Sequence, residues 1–239
     1  MISVSKLLIV QNITREGPGL LERVLNDMDI DFDRIDLDQG QTLPPLKNYK
    51  ALIVLGGPDS ANDTTPKMMR EMAYIKESLA LGLAYLGICL GLQTLVKAAG
   101  GAVVAGDVKE IGFTDPKGKQ YAVNLTNEGR SDPLFTDLPD VLDVFQLHGE
   151  TVELAKEMTL LAAGQYCRNQ VVKVTDKAYG IQSHFELTAE MLEVWATQDP
   201  DLLPVGRDKL LADFKAIESS YTPTGRALLT NFLRIAGLI

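Results

Sequence analysis

Residues 85–101 read YLGICLGLQTLVKAAGG, a short apolar run, a cysteine and then a helical pattern closed by two glycines. Gly87 and Gly91 stand two residues to either side of Cys89. A core cysteine has no need of glycines at that spacing. A nucleophile at the tip of a sharp strand-to-helix turn does, because the backbone there is strained and side chains at the flanking positions would clash. The pattern therefore predicts a strand over 83–88 and a helix over 90–99 stopped by Gly100 and Gly101. The N-terminus of that helix would hold unpaired N–H donors and a partial positive charge beside the sulfur.

Outward from this turn, short apolar runs alternate with amphipathic ones. Residues 6–11 read as a buried strand, and Leu20, Leu21, Val24, Leu25 and Met28 then recur at helical spacing. Residues 32–37 and 51–57 read as two more strands, and 66–81 as a helix with Pro66 in its first turn. This is the rhythm of a parallel sheet covered on both faces. Between 101 and 183 the pattern changes to short strands at 102–106, 121–125, 142–147, 159–164, 170–174 and 178–183. Helices return near Thr188 and end in GRALLTNFLRIAGL. With no repeat, linker or charge block, residues 1–239 are expected to form a single α/β domain, a central mostly parallel sheet flanked by helices.

The composition agrees with a globular chain able to bury its own core: 239 residues, 46% hydrophobic and 23% charged. A formal net charge of −9 without clustered Lys or Arg argues against a nucleic-acid partner. The two cysteines, Cys89 and Cys167, are too few for a disulfide framework. The apolar run near the N-terminus is too short for a signal segment or a membrane span. A cytoplasmic protein without membrane association is expected.

In sheets of this kind ligands gather at the carboxyl ends of the strands. Two loops with unusual residues fall there: the Cys89 turn, and LGGPDSAND, where Gly56 and Gly57 let backbone N–H groups approach a ligand closely. A thiolate needs a proton manager, and the chain has only His148, in QLHGET, and His184, in GIQSHFELT. In an extended segment Glu186 would project to the same face as His184 and hold its tautomer. Cys89, His184 and Glu186 thus form a nucleophile, base and orienter set for acyl transfer. A metal site made of Cys89, His148 and His184 lacks paired ligand spacing, so no metal and no cofactor are expected. Cys167 has no such context and reads as structural.

LGGPDS, GICLGLQ, LHGE and GIQSHFE, in this order and with these separations, resemble the class I (triad) glutamine amidotransferase domain, particularly that of GMP synthase. The resemblance covers roughly residues 6–190. It implies a flavodoxin-like fold with a nucleophile elbow, and attack by Cys89 on the side-chain amide of glutamine. It also implies an oxyanion hole from the Gly57 and Leu90 N–H groups, and substrate binding by Gln93, His148 and Gly149. His184 with Glu186 would protonate the departing ammonia and then activate water. The chain departs from the family pattern at Phe185, where G-x-Q-x-H-P-E has proline, and at Leu147 and Glu150 around the other histidine. It reads as a stand-alone unit that passes ammonia to a separate synthase subunit. The other readings are a γ-glutamyl hydrolase or peptidase with the same thioester chemistry, and a non-catalytic glutamyl-binding protein.

Overall fold

The computed structural model describes residues 6–239; Met1–Ser5, part of the stretch read above as carrying no signal segment, lie outside the described residues. Strands β1 (Leu7–Gln11), β2 (Phe32–Asp36), β3 (Ala51–Val54), β4 (Ala84–Ile88) and β11 (Ala178–Ile181) run parallel in the order β2-β1-β3-β4-β11. Four antiparallel strands extend this sheet to nine: β10 (Val171–Thr175), β9 (Thr159–Ala163), β6 (Ala122–Leu125) and β7 (Val141–Asp143). A separate two-stranded sheet pairs β5 (Ala102–Gly112) with β8 (Gln146–Glu153).

Both faces of the parallel strands are covered, which is why those strands read as continuous apolar runs. Leu7 and Ile9 of β1 and Ile53 of β3 face one core, packed by Leu21 and Leu25 of α1 (Leu20–Asp27) and by Leu228 and Phe232 of α6 (Arg207–Ile235). Their neighbours Leu8, Val10, Leu52 and Val54 face the opposite core, with Ile75 of α2 (Pro66–Ala80) and Leu95 of α3 (Leu90–Ala98). The two-residue period of a strand sorts alternate side chains to opposite faces. Each such burial contributes about 1.5–3 kcal/mol. Helix starts follow local chemistry: Thr65 caps α2 ahead of Pro66, and Thr188 caps α5 (Ala189–Gln198), each accepting a backbone N–H three residues on.

Two sequence expectations change in detail. Residues 142–147 do not form one strand. The chain leaves β7 at Val144 and Phe145 and enters β8 in the other sheet, and the backbone of Phe145 instead accepts the His184 N–H at 3.0 Å. Residues 102–106 are only the start of β5, whose register shifts between Ala105 and Glu110. The closing helix runs from Arg207 to Ile235 through Pro223, a break signal overridden by the burial of Tyr221, Leu228 and Phe232. Among the described residues, no helix is long and apolar enough to cross a membrane. A short α4 (Asn127–Ser131) completes the set.

Candidate active site

Because β1, β3, β4 and β11 are parallel, the segments that follow them emerge at one edge of the sheet. Cys89 follows β4 directly and caps α3 with φ at 52°, in the left-handed region that non-glycine residues seldom occupy. The flanking glycines are required by backbone contacts. A Cβ on Gly87 would lie 2.1 Å from the Gly91 carbonyl oxygen, and one on Gly91 would lie 2.1 Å from that of Val54. The Cys89 N–H donates to Ile181 at 2.7 Å, while its carbonyl accepts from Leu92 and Gln93. Among the described residues, the N–H groups of Leu90 and Gly57 form no hydrogen bond, and Gly57 lines the same cavity as Cys89.

The pairing of β11 with β4 brings residues 182–186 to the same edge. The imidazole Nδ1–H of His184 donates to Glu186 Oε1 at 2.6 Å, and both side chains are buried. The other carboxylate oxygen, Oε2, accepts the Phe185 N–H at 3.0 Å. The Tyr221 hydroxyl of α6 donates to the His184 carbonyl at 2.6 Å. Trp195 of α5 meets the imidazole edge to face at 5.2 Å. With Nδ1 committed to Glu186, the buried Nε2, which has no partner, is the nitrogen left to exchange a proton. Burial alone would lower the proton affinity of His184, but the Glu186 carboxylate and the Cys89 sulfur outweigh it and hold its pKa well above 6.5. Cys89 and His184 flank Gly56: a Cβ there would lie 3.1 Å from His184 Cε1 and 3.5 Å from Cys89 Cβ.

Cys89 and Gly57 line a cavity of about 530 Å³. Its wall includes Gln93, whose amide nitrogen lies 3.4 Å from Gln182 Oε1 and from the Glu150 carbonyl, and Gly149. The Cys89 sulfur is 3.7 Å from the Leu147 carbonyl and from the Gln182 amide. Glu150 accepts the Ser60 hydroxyl at 2.9 Å, tying the LGGPDS loop to this wall. His148 lines the cavity, but its ring is held by Glu150, Glu110 and Gln146. The structure thus brings all eight sequence-selected site residues to one region. Cys167 is outside this cavity, and burial chiefly pushes its thiol up to about 11.

Sequence reasoning missed the loop after β1 and the segment after α5. Arg15 pairs with Asp199 at 2.9 Å, and Lys109 pairs with Asp201, all four on the cavity rim. The Arg15 carbonyl accepts the Trp195 indole N–H at 2.8 Å. Buried Glu16 sits within reach of Gly56, and burial raises its carboxyl to about 7. The rule that ligands gather at strand carboxyl ends could have drawn attention to QNITREGP after β1. No comparable signal marks residues 198–201.

The family model described as glutamine amidotransferase class-I matches residues 19–193. A glutamine amidotransferase-like protein of Salmonella typhimurium is 32% identical over 160 residues, covering 64% of this chain and 64% of that relative, so the match spans less than two thirds of its length. A GMP synthase (glutamine-hydrolyzing) subunit from Natronomonas pharaonis is 31% identical over 186 residues, covering 77% and 89% of the two chains. A crystal structure of a glutamine amidotransferase from Thermotoga maritima superposes with a TM-score of 0.85 at 29% identity, covering 97% of each chain.

Proposed function

The chain belongs to the class I glutamine amidotransferase family, and we propose that it hydrolyses the side-chain amide of glutamine through a thioester on Cys89. The observation that carries this reading is the buried His184–Glu186 pair at 2.6 Å beside a cysteine held at positive φ on a helix N-terminus. The Cys89 thiol passes its proton to His184 Nε2 as the sulfur attacks the amide carbon, and the oxyanion that forms is bound by the N–H groups of Leu90 and Gly57. One such donor is worth about 10²–10³ in rate. The C–N bond breaks as His184 gives its Nε2 proton to the departing ammonia. His184 then takes a proton from water, the hydroxide attacks the thioester, and glutamate leaves as the sulfur recovers its electron pair. Glu186 holds the imidazole throughout. Gln93, Gly149 and the His148 backbone line the glutamyl site, and no cofactor takes part. In this reading the ammonia passes to a separate synthase subunit in the cytoplasm.

Hydrolysis of γ-glutamyl amines or peptides is a second reading, favoured by the charged rim. The pairs Arg15–Asp199 and Lys109–Asp201 lie on the same cavity as Cys89 and offer both signs of charge to a leaving group larger than ammonia. Glutamate release by the purified protein from glutamine and from a panel of γ-glutamyl compounds separates the two. Slow glutamine turnover accelerated at least about tenfold by a protein partner supports the amidotransferase. A high kcat/KM for one γ-glutamyl compound without a partner supports the hydrolase. No cleavage of any of them, together with failure of 6-diazo-5-oxonorleucine to label Cys89, removes the enzymatic reading and leaves a glutamyl-binding protein.

A further inference from the structure

A second group of reactive side chains lies behind the catalytic wall. The Glu110 carboxylate, the His148 imidazole and the Cys167 thiol are all buried, and their donor atoms lie within 4.8 Å of one another. Glu110 and His148 face each other across the β5–β8 pair, whereas Cys167 comes from the loop between β9 and β10 of the large sheet. We propose that these three side chains bind a zinc ion that pins the small sheet to the large one.

The hydrogen bonds of His148 motivate the assignment. Its Nδ1 lies 3.1 Å from the Glu150 carbonyl, which can only accept, so Nδ1 carries a proton. Its Nε2 faces two further oxygens, Glu110 Oε2 at 3.1 Å and Gln146 Oε1 at 3.2 Å. An Nε2 lone pair there is met by a cation, or by the Gln146 side-chain amide when its nitrogen faces the ring. A histidine that donates Nδ1–H to a backbone carbonyl while Nε2 binds metal is the usual outer-shell arrangement at zinc. Among the described residues, no Lys or Arg pairs with the buried Glu110. Gln170 Nε2 donates to it at 3.2 Å, and the oxygen of that same amide is buried without a partner.

Donor chemistry selects the metal. One sulfur, one imidazole nitrogen and one carboxylate oxygen suit zinc, with water in a fourth position. In tetrahedral zinc the ligand atoms sit about 3.3–3.6 Å apart, so rotamer shifts of about 1 Å would close the site. A second cavity of about 460 Å³, lined by His148, Thr151 and Cys167, shares only His148 with the catalytic one and supplies an entry path and room for the water. The Cys167 thiol, raised mainly by burial and further by Glu110, gives up its proton on binding. Affinity therefore rises with pH.

The test uses the intact chain, stripped with EDTA and alkylated at Cys89 with iodoacetamide, with peptide mass spectrometry confirming the position. Cys89 and Cys167 are the only cysteines, so any thiolate-to-cobalt charge-transfer band on adding Co²⁺ then comes from Cys167. We expect that band at one Co²⁺ per chain, its displacement by Zn²⁺, its loss in Cys167→Ser, and at least tenfold weaker binding in Glu110→Gln. A Cys89→Ser chain serves in place of alkylation and should keep the band. Absence of the band in the unalkylated protein overturns the proposal. So does a band that vanishes when Cys89 is blocked, which would move the metal to the catalytic cysteine. Glutamine turnover is not read here, so this outcome and that of the hydrolysis assay are independent.

Discussion

The backbone N–H of Phe185 donates to Glu186 Oε2 at 3.0 Å, a bond that proline at this position could not make. Glu186 therefore has one oxygen on the imidazole and the other on the chain between the two residues. The departure from the family motif at 185 adds a donor to the orienting carboxylate.

Phe185→Pro should lower kcat about tenfold, equivalent to about 1.4 kcal/mol, with KM little changed, since a hydrogen bond to a charged group is worth about 1.5–3 kcal/mol. Phe185→Leu keeps the N–H and should lose less in kcat than the proline variant. Steady-state kinetics on both variants decide the point. An equal loss in kcat would shift the cause to the aromatic ring, which stacks on Tyr221.

Gly91→Ala should destabilise the fold by about 3 kcal/mol or more, because its Cβ would meet the Val54 carbonyl at 2.1 Å and backbone cannot yield. Gly82→Ala, at φ 66° with open space around it, should cost only about 1–2 kcal/mol from left-handed strain. Urea unfolding of the two variants ranks them; the reverse order would remove close packing as the reason for glycine at 91.

Iodoacetamide near neutral pH should modify Cys89 first and abolish hydrolysis, with glutamine protecting. Cys167, pushed up to about 11, carries a thiolate fraction on the order of 10⁻³ to 10⁻⁴ at pH 7.5. Timed peptide mapping measures both rates. Prior labelling of Cys167, or an active Cys89→Ala protein, would displace Cys89 from the nucleophile role.

Glu16 titrates near 4.5 when unfolded and near 7 when folded, because burial disfavours its charge. The folded state then holds the proton more tightly. Its stabilising contribution is complete below pH 4.5 and is lost as pH rises through about 7, a swing of about 3 kcal/mol. Glu16→Gln should remove that part of the slope, so that the variant gains stability relative to wild type more at pH 8 than at pH 5. Glu71, also raised to about 7, leaves a similar slope in both proteins. Urea titrations at the two pH values give the comparison; an equal difference at both would mean that Glu16 does not titrate in this window.

Features that a few neighbouring residues decide were legible in the chain before any folding was considered. The apolar runs of β1, β3 and β4 reflect burial on both faces, and the Gly-x-Cys-x-Gly turn places the sulfur at a helix start through sterics within a few residues. The pairing of His184 with Glu186 was legible from their spacing of two, but the structure makes it through a bend at Phe185 and Glu186 beyond the end of β11, not along an extended segment. Tertiary structure decided what depends on register between distant strands. Arg15 meets Asp199 across the cavity, Tyr221 reaches His184 from a helix that runs through Pro223, and β7 parts from β8 at Phe145 where one apolar run had suggested one strand. Glu110, His148 and Cys167 have no motif spacing, since each is ordinary in its own segment. They meet because β5 pairs with β8 while the β9–β10 loop closes over them, and packing of whole sheets, not local propensity, sets that approach.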